Sequence, residues 1–386
     1  MFHPAKDLQI DLDQLELAVK ANAVRKFKHP TLDLFGYDYT DACTHERMWK
    51  EFPIASICRG LVLDSKGNIV AMPFPKFFNF GEADCEITYE QVKNITTFTC
   101  FNKIDGSLGI LFNYCDQWHV MTRGSFASDQ ANKAREWLAN GASVNVNELN
   151  KSCTYLAEIV YPQNRVVVDY GDYTGFVFLG AYDNITFKDL TNDLLGNFPA
   201  FSRHTEKFIK NITWKDLTDE IKSLPLTEEG RVLLFDNGRC KLKADEYCRV
   251  HKLKSNITPI AIWETMLTYK ADVLHSNIVP KDMLKDLPEE FEADYKSLWN
   301  AILNKYYNNL ETISNDIVNF AIDVKTNNLE SQKDKAIFIT KNYKENAAYI
   351  FLSIRHNTTD IKTILTKENK ALETVMRNIR PDGNAL

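Results

Sequence analysis

The sequence is short of several things, and each shortage removes a class of protein. No apolar run approaches the ~20 residues that cross a bilayer as a helix. The opening stretch MFHPAKDLQIDLDQLELAVK scatters charges where a secretory leader would carry an apolar core. The cysteines, at 43, 58, 85, 100, 115, 153, 240 and 248, never form a C-x-x-C pair or a zinc-spaced cluster with histidine. Several, such as Cys100 and Cys153, lie in apolar runs, so reduced structural thiols and a cytoplasmic protein with no membrane partner are expected. Positive charge is not in surplus: 46 basic side chains against 52 acidic ones leave a net charge of −6. Any contact with a polyanion must therefore come from a local basic surface. Repeats and low-complexity tracts are missing, as are the phosphate-loop, dinucleotide-fingerprint, H-E-x-x-H and G-x-S-x-G motifs.

What is present divides into two textures. The 386 residues, 44% hydrophobic and 25% charged, suit a globular chain of two domains. From about 30 to 250, short alternating runs such as RGLVLD, FTCFNKI, LGILFNY, TYLAEIVY and GFVFLGAY predict strands, with helices near 128–140 and 213–222. The segment 231–243 reads as a hairpin turning on Asn237-Gly238, a type I′ pair. Beyond 255, Phe291, Tyr295, Leu298, Ile302, Tyr306, Leu310, Ile313, Ile317 and Phe320 recur every three or four residues, the core stripe of a long helix. Further helices are predicted over 332–354 and 360–378. The expectation is an α+β chain, with a domain of mainly antiparallel sheets over 1–254 and an all-α domain over 255–386.

The chemistry centres on FNKIDGSLGILF, where Lys103 stands between an apolar strand and an acid-glycine-serine turn. An amine with an ordinary pKa of about 10.4 becomes a nucleophile near neutrality only when other cations, a metal or burial favour its neutral form. The surrounding segments supply such groups at strand ends: Arg59, Lys76, Arg123, Glu158, Glu229, Lys241 and Lys243. Lys241 and Lys243, two apart on a strand, project from one face with Cys240, Leu242 and Ala244 on the other. Like charges so placed repel each other unless an anion such as a polyphosphate lies between them.

In order and spacing, CRGLVLD, PKFFNF, KIDGSLG, TRGSF, EIVYPQNRVVVDY, EGRVLLF and KLKADEY resemble the RNA ligase 1 family of bacteriophages, within the covalent nucleotidyltransferases. The resemblance covers about residues 55–250 and implies a nucleotidyltransferase fold related to ATP-grasp. It implies that Lys103 takes AMP from ATP as a phosphoramidate, passes it to a 5′-phosphorylated RNA end, and that a 3′-hydroxyl then seals the strand. On that basis Arg59, Lys76, Arg123, Lys241 and Lys243 meet phosphates, and Glu158 accepts from the ribose. Glu229 and Asp105 serve Mg²⁺ or Mn²⁺ or the sealing step, while Phe78 and Tyr247 match family aromatic positions, Tyr247 at the nucleotide. Phe176 or Phe178 is a candidate to stack on adenine, with a core role as the alternative. The implied partners are ATP and single-stranded or broken-loop RNA such as tRNA, met by a monomer of virus-type repair machinery. Arg231, after Glu229-Gly230, departs from the family's apolar or aromatic residue and is either an RNA contact or a solvated strand residue. The alternatives are a DNA ligase or capping-type nucleotidyltransferase, disfavoured by the helical segment after 255, and an inactive RNA-binding relative, which would have no use for the nucleophile.

Overall fold

A computed structural model describes residues 10–195, 198–255, 257–276, 279 and 289–382. The chain divides into two compact units, Met1–Arg249 and Val250–Leu386. In the first, twelve strands form three antiparallel four-stranded sheets. One contains β1 (Val24–Lys28), β2 (Leu34–Tyr39), β3 (Arg59–Asp64) and β4 (Ile69–Ala71) in that order. A second runs β7 (Gln117–Thr122), β6 (Ser107–Tyr114), β8 (Cys153–Val160), β9 (Gly175–Asp183). The third runs β10 (Lys207–Asn211), β5 (Thr97–Asn102), β11 (Gly230–Phe235), β12 (Gly238–Lys243).

Two helices fall where the sequence predicts them, each with a cap that explains its start. Ser128 accepts from Ala131 N–H to open Asp129–Asn140, and Gly141, in the left-handed region, closes it. Thr213 accepts from Asp216 N–H to open Trp214–Lys222, whose Trp214, Leu217 and Ile221 pack under the third sheet with Phe98, Leu233 and Cys240.

The 231–243 hairpin forms, but its turn differs from the expected one. Phe235 pairs with Gly238, so Asp236-Asn237 is the loop, and neither residue takes the positive φ that a type I′ turn requires. The two-residue difference in register leaves the strand's faces unchanged. Cys240 and Leu242 enter the core while Arg239, Lys241 and Lys243 share the opposite face, and a one-residue slip would bury the cations.

The second unit is helical. Glu289–Thr326 buries Tyr295, Trp299, Ile302, Tyr306, Leu310, Ile313, Ile317 and Phe320 in a single cluster. The two later helices predicted as continuous are each broken. Gln332–Asn342 and Ala347–His356 are separated by a turn pinned to the long helix, where Tyr343 donates to Asp323 (2.6 Å) and Asn346 to Asp316 (2.9 Å). Ile361–Lys367 and Asn369–Asn378 part at Glu368, whose carboxylate meets His356 Nε2 at 2.8 Å. Helical periodicity in the sequence does not register these side-chain anchors. Among the described residues no helix is long and apolar enough to cross a membrane.

Candidate active site

Lys103 sits where the chain leaves one sheet for another. β5 ends at Asn102 in the third sheet and β6 begins at Ser107 in the second, so Lys103–Gly106 is a crossover and not the tip of a hairpin. Three anchors hold it. Lys103 N–H donates to Gly230 O (3.1 Å), and Asp105 N–H donates to the Tyr170 hydroxyl (2.8 Å). The Asp105 carboxylate accepts from Val167 N–H (2.7 Å) and Val168 N–H (2.8 Å) on one oxygen and from the Tyr247 hydroxyl (2.8 Å) on the other. Gly106 admits no side chain, since a Cβ there would lie 2.7 Å from the Ile159 carbonyl oxygen. The PQNRVV segment is the partner of this link: Asn164 donates to Ile159 O (3.0 Å) and Ser107 Oγ (3.1 Å), and Val167-Val168 cap Asp105. The two motifs are thus parts of one hydrogen-bonded unit.

The link borders a cavity of about 460 Å³ between the sheets, lined by Arg59, Lys76, Lys103, Arg123, Glu158, Lys241 and Lys243 among others. Positive charge dominates it. Tyr39 gathers one group of cations: its hydroxyl accepts from Lys76 Nζ (3.2 Å) and Arg123 (3.0 Å), and both lie over its ring. Burial raises the Tyr39 pKa, but the charges of Arg59, Lys76 and Arg123 outweigh it and bring the phenol below its usual value. Arg123 is steered by Asp38 (3.1 Å), a carboxylate that burial lifts to about 6 despite that partner.

The other group lies on β12. Lys243 pairs with Glu229 Oε1 (2.9 Å), and Lys103 takes Oε2 of the same carboxylate (2.6 Å). Glu229 is almost wholly buried; desolvation pushes its pKa up, yet Lys103 and Lys243 bring it below the usual carboxylate value. Lys241, between Arg239 and Lys243 on the strand face, has no carboxylate partner among the described residues. Burial, together with Lys76, Lys103, Arg59 and Lys243, holds its amine down to about 7. Glu158, whose carboxylate meets no donor among the described residues, is raised to about 7 by desolvation, with Lys103 and Arg59 opposing.

One end of the cavity is apolar. Phe77, Phe101, Leu179 and Val232 line it with Arg239. Leu179 is placed by a β-bulge: Leu156 pairs with Gly180 and Ala157 with Phe178, leaving Leu179 as the extra residue turned to the cavity. Of the two readings of Phe176 and Phe178, stacking on adenine or a core role, the core is where they lie. Phe176 and Phe178 are fully buried in the core behind the sheet with Trp137, Tyr155 and Phe201, and line no part of the cavity. Phe77, Leu179 and Val232 are among the apolar side chains that do line it.

Three expected site residues lie beneath the cavity. Phe78, also expected at the site, is buried under Lys76 (5.2 Å from Nζ to the ring) and against Trp49. Tyr247 lies with its ring under Lys243 (5.0 Å) and its hydroxyl on Asp105, so it supports the charged groups and does not line the cavity. Asp105, expected near a metal or the 3′-hydroxyl, accepts from Val167, Val168 and Tyr247. Glu229, the other expected metal ligand, has both oxygens on lysines. No group of three or more His, Cys, Asp or Glu that could hold a metal occurs among the described residues.

Tyr39, Phe77, Leu179, Val232 and Arg239 were not anticipated. Arg239 had a signal: Arg239, Lys241 and Lys243 continue one period-two face. Leu179 had none, because it reaches the cavity through an irregularity of pairing.

Comparison with known proteins agrees with this anatomy. Residues 57–248 match the model of the RNA ligase family. A protein of Autographa californica nuclear polyhedrosis virus, named as a candidate bifunctional polynucleotide kinase/RNA ligase, is 28% identical over 234 residues, 53% of this chain and 32% of that one. The chain thus spans about a third of that relative's length. The RNA ligase of Rhodothermus phage RM378 is 22% identical over 347 residues, 69% of this chain and 77% of that one. An archaeal ATP-dependent RNA ligase superposes with a TM-score of 0.48 at 13% identity, over 80% of this chain and 81% of that one. Over residues 57–248 the chain is similar to that RNA ligase family.

Proposed function

We propose that the protein is an ATP-dependent RNA ligase that joins 5′-phosphate and 3′-hydroxyl ends through a covalent lysyl-AMP on Lys103. The observation that carries this reading is the cavity beside Lys103, lined by Arg59, Lys76, Arg123, Lys241 and Lys243 against one lining carboxylate, Glu158, with Glu229 paired to Lys103 and Lys243. Such a charge excess is met by a bound polyphosphate.

In the first step, Lys103 gives up a proton and its bond to Glu229. Its nitrogen attacks the α-phosphorus of ATP, the N–P bond forms, the α–β P–O bond breaks, and pyrophosphate leaves. Lys241 and Lys243 meet the α-phosphate and the departing group, while Arg59 and Lys76 hold the β- and γ-phosphates. Charge that builds on phosphoryl oxygens is thereby met by cations already in place. The base lies against Phe77, Leu179 and Val232, and Glu158 accepts from the ribose. In the second step, an oxygen of the RNA 5′-phosphate takes the AMP from Lys103 and gives a 5′-5′ pyrophosphate. In the third, a 3′-hydroxyl attacks that end and AMP leaves.

A divalent ion, Mg²⁺ or Mn²⁺, would enter with the phosphates of ATP, since Mg²⁺ needs only one or two protein carboxylates beside phosphate and water. Glu229 fits as that carboxylate once a lysine pair opens, and Asp105 does not. The ion would add positive charge on the phosphates.

Repair of broken RNA loops such as tRNA anticodons, by a monomer, is the role in keeping with this chemistry. The test is incubation with α-labelled ATP and Mg²⁺ followed by denaturing electrophoresis, with Lys103→Ala alongside. Label on the wild type alone supports the reading. Label from GTP in place of ATP moves the protein to the capping class. No label from either, on protein freed of bound AMP, refutes it.

A further inference from the structure

A second groove, about 540 Å³, reaches Lys103 separately from the nucleotide cavity, and Asn102, Lys103 and Ile104 line both. The proposed reaction needs a second substrate at Lys103, and of the groove's two carboxylates Glu228 is paired with Arg231 and Glu206 accepts from the Asn102 amide (3.1 Å), which leaves Arg203 as its cation without a carboxylate partner among the described residues. Its outer wall is the segment leading into β10. Thr205 donates its hydroxyl to Asn102 O (2.7 Å), and Phe178 N–H and Thr205 N–H exchange bonds with the 203–205 backbone and Phe178 O, so this wall is fixed to two sheets. Arg203 projects from it. Its guanidinium stacks over Tyr173 (4.5 Å) and lies near Tyr170 (5.8 Å), and no carboxylate among the described residues pairs with it. A stacked guanidinium keeps its edge N–H groups free for bidentate contact with a phosphate. Opposite stands Arg231, the residue that departs from the family pattern. It is buried over Phe208 (5.1 Å) and tied to Glu228 (2.6 Å), so it shapes the wall and is not a free contact.

Resting on the ligase reading, we propose that this groove holds the single-stranded RNA next to the reacting end, with a backbone phosphate on the exposed Arg203. The strand is either the one bearing the 5′-phosphate or the one bearing the 3′-hydroxyl; both present the same phosphodiester.

The test uses Arg203→Ala and Arg203→Lys in the full chain. Binding of a fluorescent 5′-phosphorylated single-stranded RNA is followed by anisotropy across a salt series, and lysyl-AMP formation is measured in parallel. Arg203→Ala is expected to bind about tenfold more weakly, the loss suited to one charge-assisted contact, with Lys restoring part of it. The slope of log affinity against log salt is expected to fall by about 0.7, one phosphate contact to a single strand. Lysyl-AMP formation should be unchanged. Single-turnover transfer of AMP to the 5′-phosphate, and sealing of a pre-adenylylated strand, then identify the occupant: loss confined to sealing assigns the acceptor strand, and loss of transfer assigns the donor. Wild-type affinity and slope in Arg203→Ala would overturn the proposal, as would an equal loss of lysyl-AMP formation. Failure of the wild type to label with ATP would overturn the ligase reading while leaving the RNA-binding result to judge the groove.

Discussion

Replacing Lys241 with Met should stabilise the protein while abolishing its reaction with ATP. Lys241 is held at about 7 against an ordinary 10.5, by burial and by Lys76, Lys103, Arg59 and Lys243. At pH 7.5 the folded protein has released a proton that the unfolded chain keeps, which costs at most about 4 kcal/mol of folding free energy at 1.36 kcal/mol per pH unit. The cavity is open to water, which screens the neighbouring charges, so about half of that ceiling, ~2 kcal/mol, is the expected gain. For a unit of this size that is a rise of about 4–8 °C in Tm. The sign is checked through pH. Between about 7 and 10.5 the unfolded chain binds more protons at this site, so its contribution makes the wild type gain stability as pH rises. Lys241→Met should lose that slope. Differential scanning calorimetry at pH 7.0 and 9.0, with covalent labelling by ATP beside it, measures both effects. A Met variant no more stable than the wild type at pH 7.5 would show that the cluster is not under electrostatic tension, and the argument from charge excess would fall.

Glu158, raised to about 7 from 4.5, acts in the opposite sense: the folded state holds its proton through that window, so the associated stability is present below 4.5 and is lost as pH rises through 7. Glu158→Gln should flatten this part of the pH profile and weaken ATP binding, measured by denaturant midpoints at pH 5 and 8 and by titration with ATP. Gly106→Ala should cost about 2 kcal/mol and slow lysyl-AMP formation with Lys103 intact, because the new Cβ meets a backbone carbonyl at 2.7 Å; a variant with wild-type Tm and labelling would contradict the geometry. Asp105→Asn should cost about 2–4 kcal/mol, because two buried N–H groups and a tyrosine hydroxyl lose a charged acceptor. Loss of activity at an unchanged Tm would instead assign Asp105 to the metal or the 3′-hydroxyl.

Much of the site could be read from the sequence because its charged residues sit on regular strands. Lys241 and Lys243 share a face by simple alternation, and Arg59 opens β3 just as Glu158 nears the end of β8. Local pattern could not supply what depends on distant pairing. Leu179 points into the cavity only because β9 slips by one residue against β8. Tyr39 becomes the hub for Lys76 and Arg123 only when three separate segments meet. Asp105 looked available because its partners, Val167, Val168 and Tyr247, lie more than sixty residues away. The turn after β11 departs from the Asn-Gly signal by two residues of register, a shift that keeps Cys240 and Leu242 on the core face either way, so facial alternation could not reveal it. In the helical unit the stripe from Tyr295 to Phe320 was legible as periodicity, whereas the breaks at Tyr343 and Glu368 come from single side-chain anchors.

The three cations of β12 differ in what they meet, and the difference suggests an order of events. Successive members of the face are about 7 Å apart along the strand. Arg239 at one end is neutralised by Asp189, and Lys243 at the other by Glu229. Lys241 in the middle has no counter-charge among the described residues and lies near the ring of Phe77 (5.8 Å). An incoming polyphosphate therefore gains most at Lys241, where no existing ion pair must be broken. Its arrival returns a proton to that amine and brings negative charge up to Lys103. Lys103 is then drawn by two anions, the phosphate and Glu229, and the resting pair at 2.6 Å need not break before the nucleotide is bound. Binding at the unpaired lysine would thus precede release of the paired one, and on the proposed mechanism Lys103 would be freed only with the phosphate in place.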